Sequence, residues 1–179
     1  LYVGNFVPGK GVFDVIQSLK FLDSKLIKNL SLVCVGNWID NTTKEKYMNF
    51  IKQHSLPVSF RNKTYGDDKY LLYNESSIFI FTPRDPEGHP WVIVEALAHS
   101  LPIISTNKGA ITDCVFNSKN GFIVKSNNPR EIADKIKLLI RDPNMMTEMG
   151  KRSRLIYKQK FNEKIMIDSY IKTFKKLIK

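Results

Sequence analysis

Two glutamates eight positions apart, Glu87 and Glu95, carry the strongest chemical signal in the chain. They fall in Arg84-Asp85-Pro86-Glu87-Gly88-His89-Pro90-Trp91-Val92-Ile93-Val94-Glu95-Ala96-Leu97-Ala98. Glu95 stands among Trp91, Val94, Leu97 and Ala98, where an ionised side chain is costly unless something hydrogen-bonds it. Glu87 precedes it in a loop that Gly88 and Pro90 allow to turn sharply. Pro90 suits the first position of a helix, whose unpaired N–H groups would face the loop and attract an anion. A second anion-binding pattern is Gly4-Asn5-Phe6-Val7-Pro8-Gly9-Lys10-Gly11. It comes close to a phosphate-cradling P-loop, but Gly11 takes the place of the hydroxyl that would hold magnesium, which argues against a P-loop ATPase. Lys10 still follows a strand and precedes a helix, where its ammonium can meet a diphosphate as a compact point charge.

The elements that must position these groups alternate. Strands are predicted at Leu1–Gly4, Leu30–Val35, Val58–Phe60, Ile78–Phe81, Pro102–Ser105 and Gly121–Val124. Between them, Val12, Val15, Ile16, Leu19 and Leu22 recur at helical spacing. Further helices are predicted over Thr43–His54, capped by Thr42 or Thr43, over Asp67–Asn74, from Trp91, and over Pro129–Arg141. The helix from Trp91 is apolar on almost every face, as in a helix packed inside a domain, and Trp91 itself reads as core. Such alternation implies an α/β class: a three-layer Rossmann-like domain around a parallel sheet of about six strands. Ligands of such sheets gather at the carboxyl ends of the strands, and the candidate residues all lie in those loops or the turns after them.

The net charge of +11 raises nucleic acid as a partner, but its distribution argues against it. Ten of the 28 Lys and Arg fall in residues 151–179, against only Glu163 and Asp168, so the first 150 residues are nearly balanced. In that tail Ile167, Tyr170, Ile171, Phe174 and Ile178 share a helical face, with Lys164, Lys172, Lys175 and Lys179 largely elsewhere. A basic amphipathic helix of this kind can lie on an anionic membrane or dock on another domain. His54, His89, His99, Cys34 and Cys114 show no ligand spacing, and no Asp-x-Asp occurs, so neither a metal nor another cofactor is expected. Cys34 lies in a buried-strand pattern, and two reduced thiols fit a cytoplasmic protein.

The Glu-x7-Glu pair, the Gly-x-Pro turn and the Pro102-Ile103-Ile104-Ser105-Thr106 strand together resemble the donor-site signature of glycosyltransferase family 4. The resemblance runs from Leu1 to about Phe161 and implies the nucleotide-sugar-binding, C-terminal half of a retaining enzyme of the GT-B fold. It divides the chain into a donor-binding domain over 1–161 and a basic helix over 162–179 that packs on an N-terminal half. Glu95 would then accept hydrogen bonds from the ribose hydroxyls. Glu87 would stand beside the transferred sugar and, with Lys10, serve catalysis. Gly4, Asn5, Gly9 and Lys10 would line the diphosphate, as would Gly109 in a Thr-x-x-Gly turn. Gly88, His89, Pro90 and Trp91 would form the turn around sugar and phosphate, and Arg61 would border the base. Asn5 stands where the family has Arg, so Arg84 or Lys108 would have to supply that charge. The substrates implied are a nucleotide-diphosphate sugar and a glycan or lipid-linked acceptor of surface polysaccharide synthesis. Peripheral contact at the inner face of the membrane fits the tail. Asn5 also leaves an alternative, a nucleotide-binding partner module without transfer activity.

Overall fold

A computed structural model describes residues 1–178; Lys179, the last basic residue of the tail, lies outside the described residues. Six strands form: β1 (Tyr2–Val3), β2 (Leu32–Val35), β3 (Val58–Arg61), β4 (Phe79–Phe81), β5 (Ile103–Thr106) and β6 (Gly121–Val124). They make two parallel three-stranded sheets, β1-β2-β3 and β4-β5-β6. Cys34 sits opposite both Tyr2 and Phe60, and Ile103 opposite both Phe79 and Gly121. Leu1 joins the two sheets, because its N–H donates to Ile78 O and its carbonyl accepts from Ile80 N, each at 2.9 Å. The strands therefore follow the order β3-β2-β1-β4-β5-β6, whose direction of winding reverses between β1 and β4.

Helices cover both faces of this sheet, giving the Rossmann-like α/β/α architecture expected from the alternation. They are α1 (Val12–Ser18), α2 (Ser24–Ile27), α3 (Asn41–Gln53), α4 (Gly66–Asn74), α5 (Trp91–Ala98), α6 (Pro129–Arg141), α7 (Pro143–Ile156) and α8 (Glu163–Leu177). α1 packs on α6, while α5 packs on α7 and on the π-helical turn Tyr157–Phe161 that links α7 to α8. β2 and β4 are unbroken apolar runs and all of β4 and β5 is buried, as in strands covered on both faces, whereas the outer strand β3, Val58-Ser59-Phe60-Arg61, alternates in exposure.

Several boundaries differ from the sequence reading for local reasons. α3 starts at Asn41 because Asp40, not Thr42 or Thr43, caps it, its Oδ1 accepting the Thr43 N–H at 2.6 Å. The apolar repeat that runs to Leu22 does not hold one helix, for the chain tightens into a 3₁₀ turn over Leu19–Phe21. α7 escaped the periodicity reading because its buried positions are few and mostly small, Met149, Gly150 and Ser153. Its start is nonetheless marked by Pro143 and by Asp142, which accepts from Met145 N at 2.9 Å. The apolar side chains of α8 are exposed, among them Tyr170, Phe174 and Leu177.

A cavity of about 620 Å³ opens near the amino ends of β1, β2 and β4 and is lined mainly by apolar groups such as Leu19, Leu30, Ile78 and Ile136. The charged loops lie at the opposite, carboxyl ends of the strands, so volume and chemistry point to different places. A site for a charged ligand belongs with the loops, where the polar groups converge.

Candidate functional site

The winding reverses between β1 and β4, and in open parallel sheets such a reversal is where the loops leave a crevice for ligands. The loop after β1 ends in a 3₁₀ turn over Pro8–Lys10, and the Gly9 carbonyl accepts the Arg84 N–H from the β4 loop at 2.8 Å. Deeper down, Arg84 grips Asp14 of α1 with two bonds, Nε to Oδ2 at 3.0 Å and Nη2 to Oδ1 at 2.6 Å. Asp14 is only 2% exposed, so its charge depends on this partner. The Asp14 hydrogen bond in turn holds the Arg84 guanidinium above its ordinary pKa.

Lys10 and Glu87 meet across the crevice, with Nζ 2.5 Å from Oε1. The Glu87 side chain is 13% exposed and that of Lys10 36%, so the carboxylate is sheltered while the ammonium stays accessible. The loop after β5 fixes Glu87 from behind, where Ala110 N donates to its carbonyl at 3.1 Å. Gly109 makes that approach feasible, because it adopts φ +58° and a Cβ there would stand 1.7 Å from Glu87 O. Three loops thus converge on one ion pair. Gly88, by contrast, has nothing within 4 Å of where a Cβ would point, which leaves open space beside Glu87.

α5 begins at Trp91, as the apolar pattern predicts, but Pro90 does not take the first helical position. Pro90 is the cap, with extended backbone angles of −71° and 111°, and Trp91 is the first helical residue. Trp91 is also not core, being 66% exposed. The buried stripe of α5 is Ile93, Val94, Ala96 and Leu97, which leaves Trp91, Glu95 and Ala98 together on the less covered side. Glu95 reaches α4 from there. Its Oε1 accepts from Lys69 Nζ at 2.7 Å and its Oε2 from the Tyr73 hydroxyl at 2.8 Å. Burial first, and the Glu95 charge second, push the Tyr73 phenol far above its ordinary pKa, so it remains a donor.

The other predicted residues spread along the same sheet edge. Gly4 N bonds Val35 O at 2.9 Å, and Asn5 Oδ1 lies 3.5 Å from Asn37 N, which ties the β1 loop to the β2 loop. Gly9 and Pro90 belong to the stitched loops just described. The exposed His89 ring lies 5.5 Å from the ring of Phe161. Arg61 stands apart, at the end of the outer strand β3, beside a hollow of about 330 Å³ that it lines with Trp38, Lys44 and Phe60. Arg84 is committed to Asp14. Sequence reasoning missed Asp14, Lys69 and Tyr73. An acid inside the apolar repeat of α1, and two donors at i and i+4 on α4, were the available signals. Among the described residues no three His, Cys, Asp or Glu cluster as metal ligands, and no helix is long and apolar enough to cross a membrane.

Known proteins share both sequence and shape with this chain. The capsular polysaccharide biosynthesis glycosyltransferase CapM of Staphylococcus aureus is 33% identical over 98% of this chain and 46% of its own length. The chain thus spans about half the length of the curated relatives it matches. HepE of Anabaena, solved in complex with UDP, superposes with a TM-score of 0.88 at 21% identity, over 98% of this chain and 48% of HepE. The C-terminal domain of a group 1 glycosyl transferase, LpcC of Francisella tularensis, superposes at 0.81 with 19% identity, over 90% of this chain and 85% of that domain. These likenesses establish the fold of the C-terminal half of a GT-B enzyme. The sequence model for glycosyl transferases group 1 matches residues 1–156, which takes in every loop of the crevice, and the chain belongs to that family.

Proposed function

We propose that this chain is the donor-binding half of a retaining hexosyltransferase that moves a sugar from a nucleoside diphosphate to a glycan or lipid-linked acceptor. The observation that carries the proposal is the Lys10–Glu87 pair at the winding reversal, with Glu95 on the helix that follows. Lys10 and the N–H groups at the start of α5 face the charge that develops on the leaving diphosphate, which a metal would otherwise meet. Glu87 stands beside the anomeric carbon and stabilises the positive charge that appears there. The bond from that carbon to the phosphate oxygen breaks, and the acceptor hydroxyl oxygen bonds on the same face while its proton passes to the departing diphosphate. Glu95 accepts the two ribose hydroxyls, and the hollow beside Arg61 borders the base. CapM's role in capsule synthesis supports a surface polysaccharide as product.

The acceptor site belongs to a second half of the enzyme, so this chain alone binds donor weakly and turns over little. In this reading the exposed apolar face of α8 packs on that half and its lysines add contact with the inner, anionic face of a membrane, the protein working in the cytoplasm. Asn5, standing where the family has Arg, is the one feature favouring a binding module without transfer. Turnover by the full-length protein decides between the two.

The donor site is tested by titrating the chain with UDP-, GDP-, ADP- and CMP-sugars, with and without magnesium, while following melting temperature. One nucleotide should stabilise the fold selectively and independently of magnesium, and Glu95→Ala should abolish the effect. Equal stabilisation of the mutant would refute the assignment of Glu95.

A further inference from the structure

We infer that Tyr73 and Lys69 are positioning residues that preset the Glu95 carboxylate for a cis-diol, an inference that rests on Glu95 being the ribose acceptor. Tyr73 is wholly buried, and a buried phenol must find an acceptor. Two lie in range, Glu95 Oε2 at 2.8 Å and Val92 O at 3.3 Å, and the single proton goes to the nearer, charged one. The ring has no freedom to follow the carboxylate elsewhere, since it stacks on His99 at 5.1 Å and packs on Phe79 at 5.6 Å. It is therefore a fixed donor aimed at Glu95 from the core.

Lys69, one helical turn earlier on α4, supplies the second point. Its Nζ lies 2.7 Å from the other oxygen, Oε1, and the two side chains are only 18% and 23% exposed. The last torsion of a glutamate is broad, so a carboxylate held by one donor still swings about it. Two donors from one face of α4, each on a different oxygen, set its plane. An ionised carboxylate offers about four lone-pair sites. With one used on each oxygen, one remains free on each, which is the acceptor set that two neighbouring hydroxyls require. Presetting it before the ligand arrives removes an ordering cost from binding.

The test compares the nucleoside diphosphate that binds the chain best among UDP, GDP and ADP with its dideoxy counterpart, which lacks both ribose hydroxyls. Wild-type chain should prefer the ribonucleotide. Tyr73→Phe keeps the ring and its stacking but removes the donor, and Lys69→Met removes the other. Either variant should bind the ribonucleotide about tenfold more weakly and the dideoxy form unchanged, so the preference collapses. A weakening equal for both nucleotides, or a preference retained in both variants, overturns the inference and leaves Glu95 as ribose acceptor. A wild-type chain that fails to prefer the ribonucleotide overturns the Glu95 reading, and this inference with it. Should Tyr73→Phe fail to fold, Lys69→Met, which alters a side chain nearer the surface, gives the same comparison.

Discussion

Asp14 shows how much of the crevice depends on single charges below it. Removing Arg84 would strand a carboxylate that is 2% exposed, whereas removing both partners strands nothing. Arg84→Met should therefore cost about 3–5 kcal/mol, and Asp14→Leu with Arg84→Met should recover most of that loss in urea denaturation. Similar losses in the single and double variants would mean that the pair matters for its packing and not its charge. At this scale the sequence was legible where a residue announces its own chemistry. Glu87, Glu95 and Lys10 stood out as candidates through type and spacing, and the structure pairs Lys10 with Glu87 directly. Tyr73, Lys69 and Asp14 act through partners on other elements, and one sequence does not say which helices lie side by side. Trp91 was misread for a related reason. Large aromatics are usually buried, but α5 covers only one stripe, and Trp91 shares the other with Glu95.

Elements were easier to read than contacts, because strand and helix periods are local. β6 and α6 lie where their apolar patterns place them, while α3 was misjudged at its start, where the capping residue decides, and α7 was missed altogether because it buries few and mostly small residues. The loops that join the elements differ in what they tolerate, and one substitution at two glycines separates their roles. Gly109→Ala puts a Cβ against the Glu87 carbonyl in a left-handed backbone, so it should destabilise the fold by about 1–3 kcal/mol and displace Glu87. Gly88→Ala meets nothing, and its melting temperature should match wild type within the scatter of surface changes, about 0.5 kcal/mol. If donor occupies the open space beside Gly88, the same change weakens nucleotide-sugar binding. A stable Gly88→Ala chain with undiminished affinity would place the donor elsewhere in the crevice.

For the molecule as a whole, burial makes alkali a specific stress. It pushes the Cys34 thiol up to about 12, and the Cys114 thiol likewise, with the Asp113 charge adding to the second. An unfolded thiol ionises near pH 8.5, so above that pH the unfolded chain loses a proton that the folded chain keeps. Stability should be full below about pH 8.5 and fall steadily as pH rises toward 12. Cys34 alone accounts for about 2 kcal/mol at pH 10, and Cys34→Ala should remove that share. Urea midpoints that stay level between neutral pH and pH 10 would contradict this. The two thiols are also placed one to each half of the sheet, Cys34 in β2 and Cys114 just after the turn that follows β5. That makes them a built-in pair of clocks. If the halves open together, a thiol reagent under native conditions will label both sites at one rate. If the seam at Leu1 parts first, the rates will diverge, and the faster site will name the half that lets go.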